Sequence, residues 1–359
     1  MDRIAHSPEL ELILQCSRTR IASADKAQIR RLLSLPIDWG MLIETAGRHG
    51  VVPLLYHQLK KQAADLLPSD ELALLRDLYL RNSGHNFRLL HESKKLVKAF
   101  ADANITMIPF KGPLLGEMVY GDCALRKASN DLDIVVREDD IQAASEILHR
   151  AGYHLCALLT GKQLQKQIHL RYHIAFSNHH GVHLELHWHT VPRYLASFSM
   201  PEVFDHCLQV SAADIFFFSF ASDDLFLLLC QHAAKDFWLS LSMVCDLNEL
   251  LPHLDTAAIE PLLHKSRSHG RLRMVLVGFY LVHALLKTSL PQAVERQISL
   301  QPKIRQIGDA ISERLFEAKK KPTETGYLLN KYRFFWAMQE RKREKMRMLF
   351  EKLRQLPGV

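Results

Sequence analysis

The sequence predicts an α+β protein: a small mixed β-sheet embedded between helical amino- and carboxy-terminal units. Three observations predict it. Residues 7 to 102 keep a helical apolar spacing, short β-prone runs alternate with helices from Ile105 to Thr190, and helical spacing returns past Pro201. The transitions divide the 359 residues into 1–102, 103–200 and 201–359, in keeping with a chain too long for one ordinary core.

Ser7-Pro8-Glu9 supplies a capping residue, a proline at the first helical position and an early acid, and opens the first helix. Further helices are expected from about Ala24 to Leu35, Asp38 to His49 and Val52 to Gln62, then a long one from Ser69 carrying Leu72, Leu75, Leu78, Leu89, Leu96 and Phe100. In the middle segment, strands are expected at Ile105 to Phe110, Leu132 to Val136, Tyr153 to Leu158, Ile168 to Ser177 and Val182 to Thr190. Helices at Pro113 to Val119 and Glu138 to Ala151 separate them, and Asn178-His179-His180-Gly181 reads as a hairpin turn. Beyond Pro201 only helix is expected, including Asp223 to Trp238, Leu241 to Leu251, Thr256 to His269 and Arg271 to Leu286.

Composition narrows the class. With 48% hydrophobic and 24% charged residues, the chain is neither disordered nor of low complexity. Met274 to Leu286 is too short for the roughly 20 residues that span a bilayer, so it reads as a buried helix. No signal-peptide pattern is visible, and the six cysteines are scattered without C-x-x-C spacing, which points to buried thiols in a reducing cytoplasm. The formal charge of +7 sits in the tail: from Lys319 onward there are 12 Lys and Arg against 4 Glu, leaving 34 basic and 35 acidic residues before it. There Phe335, Met338, Met346, Leu349, Phe350, Leu353 and Leu356 share a helical stripe with Arg341, Arg343, Arg347 and Arg354 turned away. That pattern fits a helix docked on the body with a solvated basic back, or a surface for RNA, acidic substrate or anionic membrane.

The chemistry concentrates in Asp131-Leu132-Asp133-Ile134-Val135-Val136. On a strand, alternation turns Asp131 and Asp133 to one face and Leu132 and Ile134 to the core. Carboxylates about 7 Å apart at an exposed strand start can share divalent cations, which favour oxygen ligands and leave positions for water and phosphate; the spacing alone also fits a structural pair. Upstream, Phe110-Lys111-Gly112-Pro113 places a lysine and a glycine at a strand end before a helix start, where phosphate can be held. Arg126 adds a guanidinium. In Val182 to His189, alternation sets His183, Glu185, His187 and His189 on one face and Val182, Leu184, Leu186 and Trp188 on the other. Seven histidines between His169 and His189 raise a competing reading, Zn²⁺ on His183, His187 and His189, although H-E-x-x-H spacing and a cysteine partner are both missing. On a later helix, His232, Lys235 and Asp236 lie near one another.

A strand, a glycine turn, a helix and a D-x-D strand resemble the nucleotidyltransferase superfamily of DNA polymerase beta. Ile108-Pro109-Phe110-Lys111-Gly112, Tyr120-Gly121-Asp122, Arg126, Asn130 to Val136 and Leu184-Glu185-Leu186-His187-Trp188 are similar to its family of uncharacterised nucleotidyltransferases, which shows K-G, Y, R, D-[IL]-D and an acid before His-Trp. The resemblance implies a Mg²⁺-dependent transfer of a nucleoside monophosphate from an NTP to an acceptor hydroxyl or phosphate, releasing pyrophosphate. Asp131, Asp133 and Glu185 are then the catalytic and metal-binding acids for two Mg²⁺, with Mn²⁺ as the alternative. Lys111, Gly112 and Arg126 bind the nucleotide, and His187, His232, Lys235 and Asp246 line the substrate cleft. Where the superfamily carries Gly-Ser after its first strand, this chain has Lys-Gly-Pro, so no serine hydroxyl meets the triphosphate and Lys111 supplies charge instead. Phosphoryl transfer with the same metals and a non-catalytic nucleotide- or RNA-binding protein are the alternatives. The acceptor, whether small molecule, peptide, protein or RNA, is not legible.

Overall fold

The computed structural model describes residues 7–156, 168, 171–192, 200–317, 333–342 and 345–346. By packing, the described residues form two compact units, one drawn from 19–193 and 198–221 and the other from 7–18 and the residues from 222 onward. Both are α+β or α in content: a small mixed sheet of five strands and a separate pair of strands are carried among helices. Among the described residues no helix is long and apolar enough to cross a membrane.

The first unit begins with helices Ser23–Leu33, Trp39–His49, Val52–Ala63 and Ser69–Asp102. Local chemistry sets their ends. The Asp38 carboxylate accepts the Met41 N–H at 2.9 Å and caps the second of them, and Gly50 closes it with φ 66°. Strands follow as β1 (Ile108–Pro109), β2 (Asp131–Val135), β3 (Tyr153–Leu155), β4 (His173–Asn178) and β5 (His183–His187), with helices Gly112–Tyr120 and Ile141–Arg150 between them. Their order in the sheet is β1-β2-β5-β4-β3, in which β2 and β5 pair parallel and the other neighbours antiparallel. β1 is shorter than its sequence suggests, because the Ile105 N–H is taken by the Phe100 carbonyl at the end of the long helix.

Alternation gives the sheet two unlike faces. Leu132, Ile134, Leu184, Leu186, Ile174 and Phe176 point to one side and form a core with Leu96 and Phe100 of the long helix and with Ile147 and Leu148. Burying each such side chain contributes roughly 1.5–3 kcal/mol, which fixes the register, since a slip by one residue would turn this set to the other face. The opposite face carries Asp131, Asp133, His173, His183, Glu185 and His187.

The unbroken helix expected past Pro201 is not what forms. A helix Met200–Asp205 gives way to a hairpin of β6 (Leu208–Ala212) and β7 (Ile215–Ser219), which pair antiparallel. Its two-residue turn holds Ala213 and Asp214 at φ 53° and 60°, a conformation usually signalled by Asn-Gly. Phe217 faces Leu90 and Leu114, whereas Phe216 on the other face is exposed.

In the second unit, helices Pro8–Cys16, Ser222–Lys235, Leu241–Leu250, Thr256–Ser268, Gln292–Ser299 and Pro302–Phe316 accompany Leu272–Leu286, which is buried along most of its length. Gly278 allows close packing there, for a Cβ would lie 2.6 Å from Cys230 Sγ. The six cysteines are free; four are buried, but Cys156 is exposed at the end of β3 and Cys207 is half-buried. In the tail, Phe335 and Met338 are buried and Met346 is exposed, while Leu349, Phe350, Leu353 and Leu356 lie outside the described residues.

Candidate active site

The site grows from the parallel pair β2–β5. Their register sets Asp131 beside His183, Asp133 beside Glu185 and Val135 beside His187. Equivalent positions on paired strands face the same way, so both strands offer their acids on the polar face. Asp131 is half-buried at the strand start. Asp133 is buried, at 3% exposure, and does not sit at an open strand end as its sequence position suggests.

Two basic side chains cover Asp133. The Phe110 N–H donates to the Asp133 carbonyl at 3.0 Å, carrying the β1–β2 pairing one residue further. Lys111 then precedes the helix Gly112–Tyr120, and Gly112 enters it at φ +75°, a backbone conformation that side chains disfavour. This geometry brings Lys111 Nζ to 3.1 Å from Asp133 Oδ2. From β5, His187 Nε2 lies 2.9 Å from Asp133 Oδ1 and 3.1 Å from Glu185 Oε2. One imidazole nitrogen therefore touches both acids. His187 Nδ1 faces the His189 carbonyl at 3.3 Å, and His173 Nε2 approaches Glu185 Oε1 at 3.5 Å from β4.

The charges are set by this crowding. Burial pushes the Asp131 carboxyl above its usual value and the neighbouring Asp133 charge adds to it, with Lys111 opposing. At Glu185 the His187 hydrogen bond outweighs burial and holds the carboxyl low. Burial opposes a charge on His187, yet the hydrogen bonds and charges of Asp133 and Glu185 together raise its pKa.

Acid and imidazole donors on this face could hold a divalent cation. Three acids share one face, and what now rests against the buried one is a lysine ammonium and an imidazole, the positions where positive charge is wanted. Among the described residues, two groups of three bring ligand atoms within 4.8 Å of one another: His173, Glu185 and His187, and Glu117, Asp122 and Cys123. Neither the set His183, His187 and His189 nor the set Asp131, Asp133 and Glu185 is among them; His183 is exposed and His189 Nε2 lies 4.0 Å from Glu138.

Residues 36–287 match the family of uncharacterised nucleotidyltransferases. The chain belongs to this family. None of the curated proteins matches it significantly. The family segment contains every candidate site residue named from the sequence, and the structure distributes them. Lys111, Gly112, Asp131, Asp133, Glu185 and His187 lie on or beside the polar sheet face. Arg126 is buried at the end of a short 3₁₀ turn, Cys123–Leu125, with its Nη1 3.5 Å from the Lys127 carbonyl. His232, Lys235 and Asp246 belong to the second unit, where Asp236 lies 3.4 Å from His232 Nε2 and 3.8 Å from Lys235 Nζ and where Asp246 is buried.

Two features of the nucleotidyltransferase fold escape the sequence reading. One is His173, directly opposite His187 in the β4–β5 register; counting back from the hairpin turn would have found it. The other is a polar clamp on the long helix. Asn82 Nδ2 donates to the Ala124 and Arg126 carbonyls at 3.1 and 3.0 Å and Asn82 Oδ1 accepts the Ala128 N–H at 2.9 Å. One turn on, Asn86 Nδ2 reaches the Cys123 and Arg126 carbonyls at 2.7 and 2.9 Å, and His85 Nε2 meets the Ser129 carbonyl at 2.8 Å. The clamp fixes the loop that delivers Asp131.

Proposed function

We propose that the protein transfers a nucleoside monophosphate from an NTP to an acceptor hydroxyl or phosphate and releases pyrophosphate, with Asp131, Asp133 and Glu185 as the metal-binding acids. The observation that carries this reading is the pairing of Asp133 with Glu185 on parallel strands, both facing His187, in a chain of the nucleotidyltransferase family. Asp131, Asp133 and Glu185 would hold divalent cations, Mg²⁺ or Mn²⁺, which would supply positive charge for the triphosphate and lower the pKa of the acceptor hydroxyl. Asp131 and Asp133 hold them from β2. Glu185, kept ionised by His187, would complete that metal shell or take the acceptor's proton. Lys111 and Arg126 offset phosphate charge, and for Lys111 this means exchanging its contact with Asp133 for the phosphate oxygens. His187 holds the two acids in their relative positions.

The test uses the full chain with each labelled NTP, Mg²⁺ and a cell extract. Transfer of label to an acceptor, abolished in Asp133→Asn and in Glu185→Gln, supports the reading; label transfer that survives both substitutions removes it.

A further inference from the structure

Outside the three acids, the polar sheet face carries the imidazoles of His173, His183 and His187, which nucleotidyl transfer by carboxylates does not require. We infer that His173, Glu185 and His187 form a nitrogen-rich site for one first-row transition dication, of the Mn²⁺ to Zn²⁺ series, that fills before nucleotide binds. The inference rests on the proposed use of Glu185 and specifies the metal at that end of the site.

The geometry argues for it in four steps. The three ligand atoms already lie within 4.8 Å of one another. Ligands bound to one ion at about 2.1 Å stand about 3–4 Å apart, so shifts below an ångström would close the shell. Secondly, the ligands come from paired strands: His173 and His187 are direct partners in the β4–β5 ladder, and Glu185 sits between the two neighbouring strands opposite Asp133 and Ala175. A site on paired strands is held more closely than one on loops.

Thirdly, the His187 ring is oriented as a metal-binding histidine is. Its Nδ1 faces the His189 carbonyl at 3.3 Å, which favours the tautomer that donates there and leaves Nε2 as the ligand nitrogen. That same Nε2 faces two carboxylate oxygens at 2.9 and 3.1 Å. An ion seated on Nε2 would therefore also meet both acids. Fourthly, His173 Nε2 lies 3.5 Å from Glu185 Oε1, too long for a good hydrogen bond. The gap suits an ion shared by the two, and the Tyr172 ring 4.4 Å from the His173 ring restricts its swing.

The chemical consequence is a choice of metal. Imidazole nitrogens suit transition dications, whereas Mg²⁺ selects oxygen and water. Asp131 and Asp133 would keep the oxygen-rich position for the nucleotide's Mg²⁺, and the His173–Glu185–His187 position would hold the other ion whether or not nucleotide is present.

The experiment titrates the full-length protein with Co²⁺ and with Mg²⁺, without nucleotide, by calorimetry and by the visible absorption of bound Co²⁺. Near one Co²⁺ per chain is expected, bound at least a hundredfold more tightly than Mg²⁺ and with the intensified visible bands of nitrogen ligation. His173→Gln should weaken Co²⁺ by tenfold or more while leaving its thermal melt and the binding of Mg²⁺ with ATP, CTP, GTP or UTP intact. Co²⁺ binding no tighter than Mg²⁺, or unchanged by His173→Gln, overturns the inference and leaves nucleotidyl transfer standing. Tight, His173-dependent Co²⁺ with no binding of any NTP upholds the metal site and removes the transfer reaction.

Discussion

Two acid-bearing clusters in the same unit look alike by composition and differ in what their acids face. In the first, Glu117 Oε1 accepts the Cys123 N–H at 2.9 Å and Asp122 Oδ1 accepts the Ala124 N–H at 2.8 Å. These acids are satisfied by backbone donors within a few residues, and burial, then Glu117, pushes the Cys123 thiol pKa up so that it stays protonated. In the second, Asp133 and Glu185 meet Lys111, His173 and His187, which come from different strands and from a helix start. A turn needs local caps and gains nothing from distant cations. Bringing acids and bases together from separate strands costs desolvation that a stable fold does not require, which is why the proposed chemistry is placed on the second cluster.

The largest effect that can break this comparison is expected from Asp133→Asn. The substitution keeps the shape but removes the charge shared by Lys111 and His187, so transfer should fall to background in the labelled-NTP assay. Because Asp133 is buried and paired on both oxygens, the melt should fall as well, by about 2 kcal/mol for lost hydrogen bonds to charged partners. Retention of full activity would place the chemistry elsewhere on the chain.

Next is Lys111→Ala. Losing one ammonium near the phosphates should weaken NTP binding by about tenfold, equivalent to about 1.4 kcal/mol, and leave Co²⁺ binding at His173, Glu185 and His187 unchanged. Calorimetry with NTP and Mg²⁺ checks the first and Co²⁺ titration the second. Equal loss of both would merge the two positions into one site.

How much of this was legible depends on which interactions are periodic. β2 and β5 announce themselves because alternation of Asp131, Asp133 and Glu185 with Leu132, Ile134 and Leu184 is a property of one strand read alone. Their adjacency is not, since pairing order is a tertiary fact that the structure supplies. His173 was hidden because its meaning comes from a cross-strand partner. Asn82, His85 and Asn86 were hidden for a different reason: on a long helix, polar residues at i, i+3 and i+4 look like a solvated stripe, and only the loop packed on them makes Asn86 a buried donor at 1% exposure. The hairpin β6–β7 was missed because Ala213-Asp214 does not advertise a turn.

That clamp provides the third test. Asn86→Ala strips the Cys123 and Arg126 carbonyls of a buried donor, and each unpaired buried group costs about 1–3 kcal/mol, with Asn82 still serving Arg126. Denaturant unfolding should show a loss of about 2 kcal/mol. Transfer should slow less than in Asp133→Asn, through a displaced Asp131, and Asn86→Asp, which keeps the acceptor but not the donor, should not rescue it.

The smallest effect, and the sharpest discriminator between the two clusters, is expected from Glu117→Gln. Gln retains the oxygen that accepts the Cys123 N–H, so the cap survives and only a charge is lost; stability should change by less than about 1 kcal/mol. The Cys123 thiol loses an anionic neighbour, which lowers its pKa, but burial is the larger cause of its elevation and remains. Thiol-reactive probes at neutral pH should therefore still find Cys123 unreactive in the folded protein. Transfer, NTP binding and Co²⁺ binding should all match the parent chain. If Glu117→Gln weakened Co²⁺ as strongly as His173→Gln, Glu117 would be a ligand rather than a cap, and proximity of acids would matter more than the origin of their partners.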